Sequence, residues 1–325
     1  MNNSGKAWLM AFVMGILLPG LLFSVSEQFI KRPESVQQPE NTVAATEPTR
    51  QQPQQQSANV TVLLPEGQAR MNMRDYLTGV LLAEMPVDFD EEALKAQAVV
   101  SRTYALRRNT VGNKHPLGAV CTESSCCQAY RSIEDFLSKG GTEQMLNKVT
   151  RAVESTRDQV LTYQGALIEA TYFSCSGGRT EDALAVCGTD IPYLQAVDSP
   201  GEENATHFVD TVKFTVDEFA SLLRIPSSAC KLGAVTYTDG GGVATMMIGD
   251  KVFSGIQIRQ QLGLRSTAFS MYAAGEEIHI STKGFGHRVG MSQYGAEAMA
   301  VRGDDYQKIL YHYYPGTQLT VYTRN

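Results

Sequence analysis

A proline divides two segments that both carry a helical apolar pattern, and this junction limits the folds open to the chain. In "MRDYLTGVLLAEMP" the side chains Tyr76, Leu77, Val80, Leu81 and Met85 recur at helical spacing until Pro86. Proline has no N–H for the helical ladder, and its ring crowds the preceding turn. Asp90 then reads as an N-cap, with Glu91 and Glu92 at the positive end of the next helix dipole. That second segment, "EEALKAQAVVSRTYALRRN", offers Leu94, Ala98, Tyr104 and Leu106 for burial, and "TVGNKH" ends it. Ala96, Ala98 and Ser101 keep its surface slim, which predicts close packing against another backbone. The fold must therefore accommodate a tight helix–proline–helix corner, and Glu84 stands at it.

The rest of the pattern mixes helices with hairpins. "NVTVLLP" alternates and is β-branched, so it predicts a strand. "IEDFLSKGGTEQMLNKVTRAVEST" predicts a helix broken at Gly140 and Gly141. "DQVLTYQGALIEATYFS" predicts strands turning at Gln164-Gly165. "AVTYTDGGGVATMMIG" predicts a second hairpin, "SGIQIRQQLGL" a short helix, and "FSMYAAGEEIHIST" another strand pair. "MSQYGAEAMAVRGDDYQKILYHYYPG" closes the chain with two short helices separated at Arg302-Gly303. No regular strand–helix alternation is present, so the class is α+β: a single large domain of helices and mainly antiparallel strands.

That domain is expected over residues 60–325. Ahead of it, Ala7 to Val25 carries no charge and has the length needed to cross a bilayer. A cleaved signal peptide would want a shorter apolar core and a better site than "FSVSEQF" offers, so residues 1–30 read as an uncleaved single-pass anchor. Lys6 precedes the apolar run and Lys31 and Arg32 follow it, so charge alone orients it weakly. Residues 31–59, rich in Gln, Pro, Glu and Thr, bury too little to fold and read as a disordered linker. The expectation is a membrane-tethered domain outside the cytoplasm. A net charge of −6 without a long basic run argues against nucleic acid as the main partner.

A carboxylate in a last helical turn is ordinarily solvated, but two features of Glu84 argue otherwise. It stands at the negative end of the helix dipole, and it adjoins Val80, Leu81 and Met85. Both effects raise a carboxyl pKa, the condition for a general acid near neutrality. Far along the chain, "STKGFGHRVGMSQYGAEAMA" places Gly284, Gly286 and Gly290 around His287 and Arg288. This predicts a sharply bent loop that lets a ligand approach its backbone, and no βαβ unit surrounds it to make a dinucleotide site. "YFSCSGGRTED" supplies a second small-polar loop, Ser174 to Glu181. Either loop alone is equally well read as a turn.

Together, "YLTGVLLAEMP", "EALKAQAVVSRTYAL", "YFSCSGGRTEDALAV" and "GFGHRVGMSQYGAEAMA" resemble, in order, the signature segments of the stage II sporulation protein D family. The tail through "ILYHYYPGTQL" and the N-terminal anchor are similar as well. The resemblance implies a lytic transglycosylase that cleaves peptidoglycan glycan strands during engulfment of the forespore; a related branch, the amidase enhancers, shares the domain. It implies that Glu84 is the catalytic acid. It also implies that Lys95, Ser101, Arg102 and Tyr104 belong to the glycan cleft with Ser174 and Ser176, and that His287, Ser292, Gln293 and Tyr294 line the other wall. It further implies denuded strands as substrate. The neighbours it implies are the sporulation amidase stage II sporulation protein P and the membrane protein stage II sporulation protein M. The rival is a non-catalytic module that binds glycan and stimulates an amidase. A hydrolase would need a second carboxylate, for which Asp88 and Asp90 are nearest, and Asp90 is better explained as a cap.

The six cysteines cluster unevenly. "HPLGAVCTESSCC" brings His115, Cys121, Cys126 and Cys127 into one loop, and thiolate with imidazole suits tetrahedral zinc. The even spacing favours His115, Cys121 and Cys127, with the fourth position left to water or another side chain; the set also resembles a metal-bearing loop of some family members. A disulfide competes in an oxidising space. Cys175 and Cys187 are candidates for a pair, although family members often carry tryptophan at the second position, which leaves open whether Cys175 reaches the metal. Cys230 reads as a buried free thiol, and His207, His279 and His312 as structural.

Overall fold

A computed structural model describes residues 58–110 and 114–323. The expected anchor and nearly all of the expected linker lie outside the described residues. Among these residues, no helix is long and apolar enough to cross a membrane.

The helix–proline–helix corner forms as the pattern requires. Helix α1 spans Met73–Glu84, its N-terminus capped by the Asn72 side chain, and Met85 leaves it in extended conformation. Helix α2 spans Glu91–Thr110, and the Asp90 carboxylate accepts from the Glu92 N–H at 2.8 Å. Its burial exceeds the four positions its pattern offered: from Ala93 to Leu106 every side chain except Lys95 is buried. The slim residues make this possible. Helix α1, the Glu143–Ser155, Gln293–Val301 and Tyr306–Tyr313 helices and the Gln159–Tyr163 strand pack around it.

The sheets are small and mainly antiparallel, giving an α+β architecture of mixed helices and strands. Two parallel pairings join distant segments: Asn59–Leu64 with Val120–Cys121, and Tyr172–Phe173 with Met291–Ser292. The second of these brings the small-polar loop beside the glycine-rich loop. The Gln164-Gly165 turn takes positive φ at both residues, as a tight hairpin between Tyr163 and Ala166 requires. Gly67–Asn72 and Val209–Thr215 are strands that sequence periodicity did not mark, because both alternate around mostly exposed positions.

Apolar burial falls into two cores. The larger joins α1, α2 and the C-terminal helices. The smaller lies between Phe219 and Ile280, where the Val216–Leu223 and Gly255–Leu262 helices cover two three-stranded sheets. The corner bearing Glu84 belongs to the larger core.

Candidate active site

Glu84 ends α1 where the helix meets the loop after the cysteines and the Tyr172–Phe173 strand. Its Oε1 accepts the Ala129 N–H at 2.6 Å, and the Tyr172 hydroxyl donates to the same carboxyl. The Gln293 amide approaches it too, though its Nε2 makes no bond of normal length. Burial pushes the Glu84 pKa above the usual carboxylate range, against the pull of these donors toward the charged form.

The carboxyl faces a cleft of about 460 Å³, within the range of about 300–1,000 Å³ common for small-ligand sites. Tyr104 and Arg108 of α2 form one side, Ser124 to Cys127 a second, Thr171 to Ser174 a third and Phe285 to His287 the last. Arg108 lies over the Tyr104 ring at 4.8 Å and is paired with Glu169, so its charge is offset within the wall. Among the described residues, Glu84 is the one carboxylate lining this cleft.

The glycine-rich loop is held by its own backbone. Phe285 exchanges both backbone hydrogen bonds with Cys175, at 3.1 and 2.7 Å. Gly290 has φ +83°, and a Cβ there would stand 2.1 Å from the Thr171 carbonyl oxygen, so no other residue fits. His287 accepts the Val289 N–H on Nδ1 at 3.1 Å and bonds the Tyr172 backbone. Burial, with the Arg259 charge adding, lowers its pKa to about 4. It is therefore neutral at physiological pH and ties the loop to the strand.

Arg288 explains that loop's shape. It adopts φ +66° and is buried, with Nε donating to the Ser176 carbonyl, Nη2 to those of Arg179 and Gly240, and Nη1 to Glu181. Glu202, also buried, accepts from Ser176 N and Oγ, Gly177 N and Cys175 Sγ. The sequence showed no sign of either carboxylate's burial.

The structure brings Glu84, Tyr104, Ser174, His287 and Gln293 into one cleft, and leaves the other expected residues outside it. Lys95 pairs with Glu92 in the first turns of α2. Ser101 is buried and accepts from Gln97. Arg102 is buried on the opposite side of α2, donating to the Val153 and Gln159 carbonyls, and burial lowers its pKa to about 10. Ser176 turns inward to Glu202, Ser292 caps the Gln293–Val301 helix, and Tyr294 packs its ring against Phe89. Each is occupied because a helix or loop packed on both sides has few directions that reach open space. Tyr172, Arg108 and Gln128 are the functional candidates that sequence reasoning missed. Tyr172 was within sight, since it opens the quoted segment two residues ahead of Ser174, but nothing local marks Gln128.

The ligand atoms of His115, Cys121, Cys126 and Cys127 all lie within 4.8 Å of one another. Four donors of this chemistry around tetrahedral zinc stand about 3.5–3.8 Å apart, so the set fits that ion with small adjustment. Cys126, left out of the sequence expectation, lies 3.3 Å from His115 Nε2. All six cysteines are free thiols. The suggested Cys175–Cys187 pair does not form, because Cys175 is buried against Glu202 while Cys187 is exposed on a short helix. Cys175 is also no part of the His115 cluster, and burial raises its pKa to about 12. Cys230 is half-buried. The three remaining histidines have partners: Phe285 and Arg265 for His207, Tyr272 and Glu277 for His279, and the Asp198 carbonyl for His312.

A family model described as Stage II sporulation protein matches residues 67–163. Stage II sporulation protein D of Bacillus subtilis (strain 168) is 39% identical over 254 residues, covering 76% of this chain and 74% of that protein. Its counterpart in Bacillus amyloliquefaciens gives the same identity and coverage. The Amidase enhancer of Bacillus subtilis (strain 168) is 31% identical over 302 residues, covering 76% of this chain and 40% of that longer protein. With more than two thirds of its length aligned at that identity, the chain belongs to the stage II sporulation protein D family.

Proposed function

We propose that this protein acts on the cell wall during sporulation as a lytic transglycosylase, with Glu84 as its single acid and base. The observation that carries the proposal is a solitary, partly buried carboxyl facing a sugar-sized cleft. Glycoside hydrolysis ordinarily uses two carboxylates about 5–9.5 Å apart. Asp90 caps α2 and Asp88 is exposed, and neither lines the cleft. Transglycosylation needs no second carboxylate, because no water is activated.

The steps follow from that one group. Protonated Glu84 gives its proton to the oxygen bridging N-acetylmuramic acid and N-acetylglucosamine, and the C1–O bond breaks. The carboxylate left behind, stabilised by the Ala129 N–H and the Tyr172 hydroxyl, takes the proton from the C6 hydroxyl of the same muramic acid. That oxygen closes onto C1, and a 1,6-anhydro end results. Neutral His287 adds no charge that would strip the proton from Glu84 early.

His115, Cys121, Cys126 and Cys127 would hold zinc, which supplies a structural tie to the loop forming one wall of the cleft. In this proposal residues 7–25 anchor the chain in the membrane with its domain outside the cytoplasm. An amidase that removes stem peptides would supply denuded strands, a role for stage II sporulation protein P, with stage II sporulation protein M as membrane neighbour. The second reading, a non-catalytic glycan-binding module that stimulates an amidase, draws on the similarity to an amidase enhancer. Mass spectrometry of denuded glycan strands treated with the protein separates the two. Anhydro termini made by the native chain and lost in Glu84→Gln are expected. Reducing termini would indicate hydrolysis, and no new termini from either protein would leave the binding module.

A further inference from the structure

A closed ring of hydrogen bonds runs through the site and begins and ends on α1. The Tyr76 hydroxyl donates to Gln128 Oε1 at 3.0 Å, and Gln128 Nε2 donates to the Tyr172 oxygen at 3.2 Å. The Tyr172 hydroxyl then bonds Glu84, two helical turns from Tyr76. Gln128 is fully buried, as is Tyr76. An amide has one acceptor end and one donor end. With its acceptor end engaged by Tyr76, Gln128 presents only N–H to Tyr172, whose oxygen is thereby occupied as an acceptor. The Tyr172 proton is left to point at the carboxyl.

We propose that Gln128 is a positioning residue that directs the Tyr172 hydroxyl proton onto Glu84, so that the carboxyl is held in one orientation and its charged form is supported in the second half of the reaction. The proposal rests on Glu84 being the acid and base. Gln128 is followed directly by Ala129, whose N–H binds Glu84 Oε1, so two successive residues act on the same carboxyl by different routes. A buried amide spanning two hydroxyls is costly to keep unless both ends are satisfied, and here both are. The other titratable groups lining the cleft around Glu84 are Tyr104, Arg108, Lys114, Cys126, Cys127 and His287, with Tyr104 and Lys114 both bonded to the Cys126 carbonyl. None of them takes part in the ring.

The test uses the full-length chain and the variants Gln128→Leu, Tyr172→Phe and Tyr76→Phe. Two quantities are measured against pH: formation of anhydro ends on denuded glycan strands, and the melting temperature relative to the same protein carrying Glu84→Gln. The second counts the Glu84 proton without requiring catalysis. Its stabilising effect is present in acid and lost as pH rises through the folded-state pKa, which lies above the unfolded one. Tyr172→Phe removes a hydrogen bond to the charged form, so both midpoints are expected to move up by about one to two pH units. Gln128→Leu, which frees the hydroxyl to rotate, shifts them in the same direction by less. Tyr76→Phe keeps its ring in the core and releases the outer end of Gln128, so it carries the same expectation if Gln128→Leu does not fold. A purely structural role would lower activity at every pH and leave the midpoints in place, and that result overturns the proposal. If the native chain forms no anhydro ends, the enzymatic reading fails, while the melting midpoints still decide the role of Gln128.

Discussion

Replacing Arg288 with methionine removes the cation that joins three loops behind the cleft. Its guanidinium donates to the carbonyls of Ser176, Arg179 and Gly240, each at 2.7 Å, and to Glu181 at 3.2 Å. The two side chains are 3% and 1% exposed, so water cannot take over these bonds without the loops parting. Glu181 keeps only Thr238 Oγ1 and the Gly242 N–H on Oε1, and its Oε2 already has no partner. Removing one member of a buried ion pair costs about 3–5 kcal/mol. Three carbonyls stripped of their donor add about 1–3 kcal/mol after relaxation toward water. Methionine also inherits the left-handed backbone at φ +66° without the bonds that hold it there. The expected loss is therefore about 4–8 kcal/mol, a large share of the roughly 5–15 kcal/mol of an ordinary domain. Urea unfolding of the full chain followed by circular dichroism measures it. Glu181→Gln added to Arg288→Met removes the stranded charge and is expected to recover about 2 kcal/mol. A single variant that loses less than about 1 kcal/mol, or a double variant no more stable than the single, would refute the account of this ion pair.

Three other expectations concern the loops that form the cleft. Protein purified without chelator is expected to carry about one zinc per chain by elemental analysis, and Cys121→Ser or Cys126→Ser to lose it with a lower melting temperature; full metal in Cys126→Ser would return the set to three protein ligands. Because the His287 pKa is lowered to about 4, its neutral form is favoured in the folded state; its stabilising contribution is present above about pH 6.5 and is lost as pH falls toward 4. Melting curves of the native chain and His287→Gln should diverge over that window, and parallel curves would contradict it. Gly290→Ala meets both a positive φ and the Thr171 oxygen, so a loss of at least about 2 kcal/mol is expected in the same urea assay.

What the sequence determined by itself is local in origin. Apolar spacing and Pro86 set the corner after α1, Asp90 the start of α2, and Gln164-Gly165 a hairpin turn, because each depends on backbone chemistry within a few residues. The location of Glu84 at that corner was legible for the same reason. What only the tertiary structure decided is which side chains share its cleft. Arg102 and Ser101 stand on a helix whose pattern could not reveal that it is enclosed all round, and both turn into the core. Ser176 and Ser292 satisfy a buried carboxylate and a helix end before any ligand could reach them. Gln128 meets Tyr76 and Tyr172 at separations of 52 and 44 residues. Such meetings depend on how independently formed elements pack, and a buried hydrogen bond between them leaves no trace in the order of residues along either one.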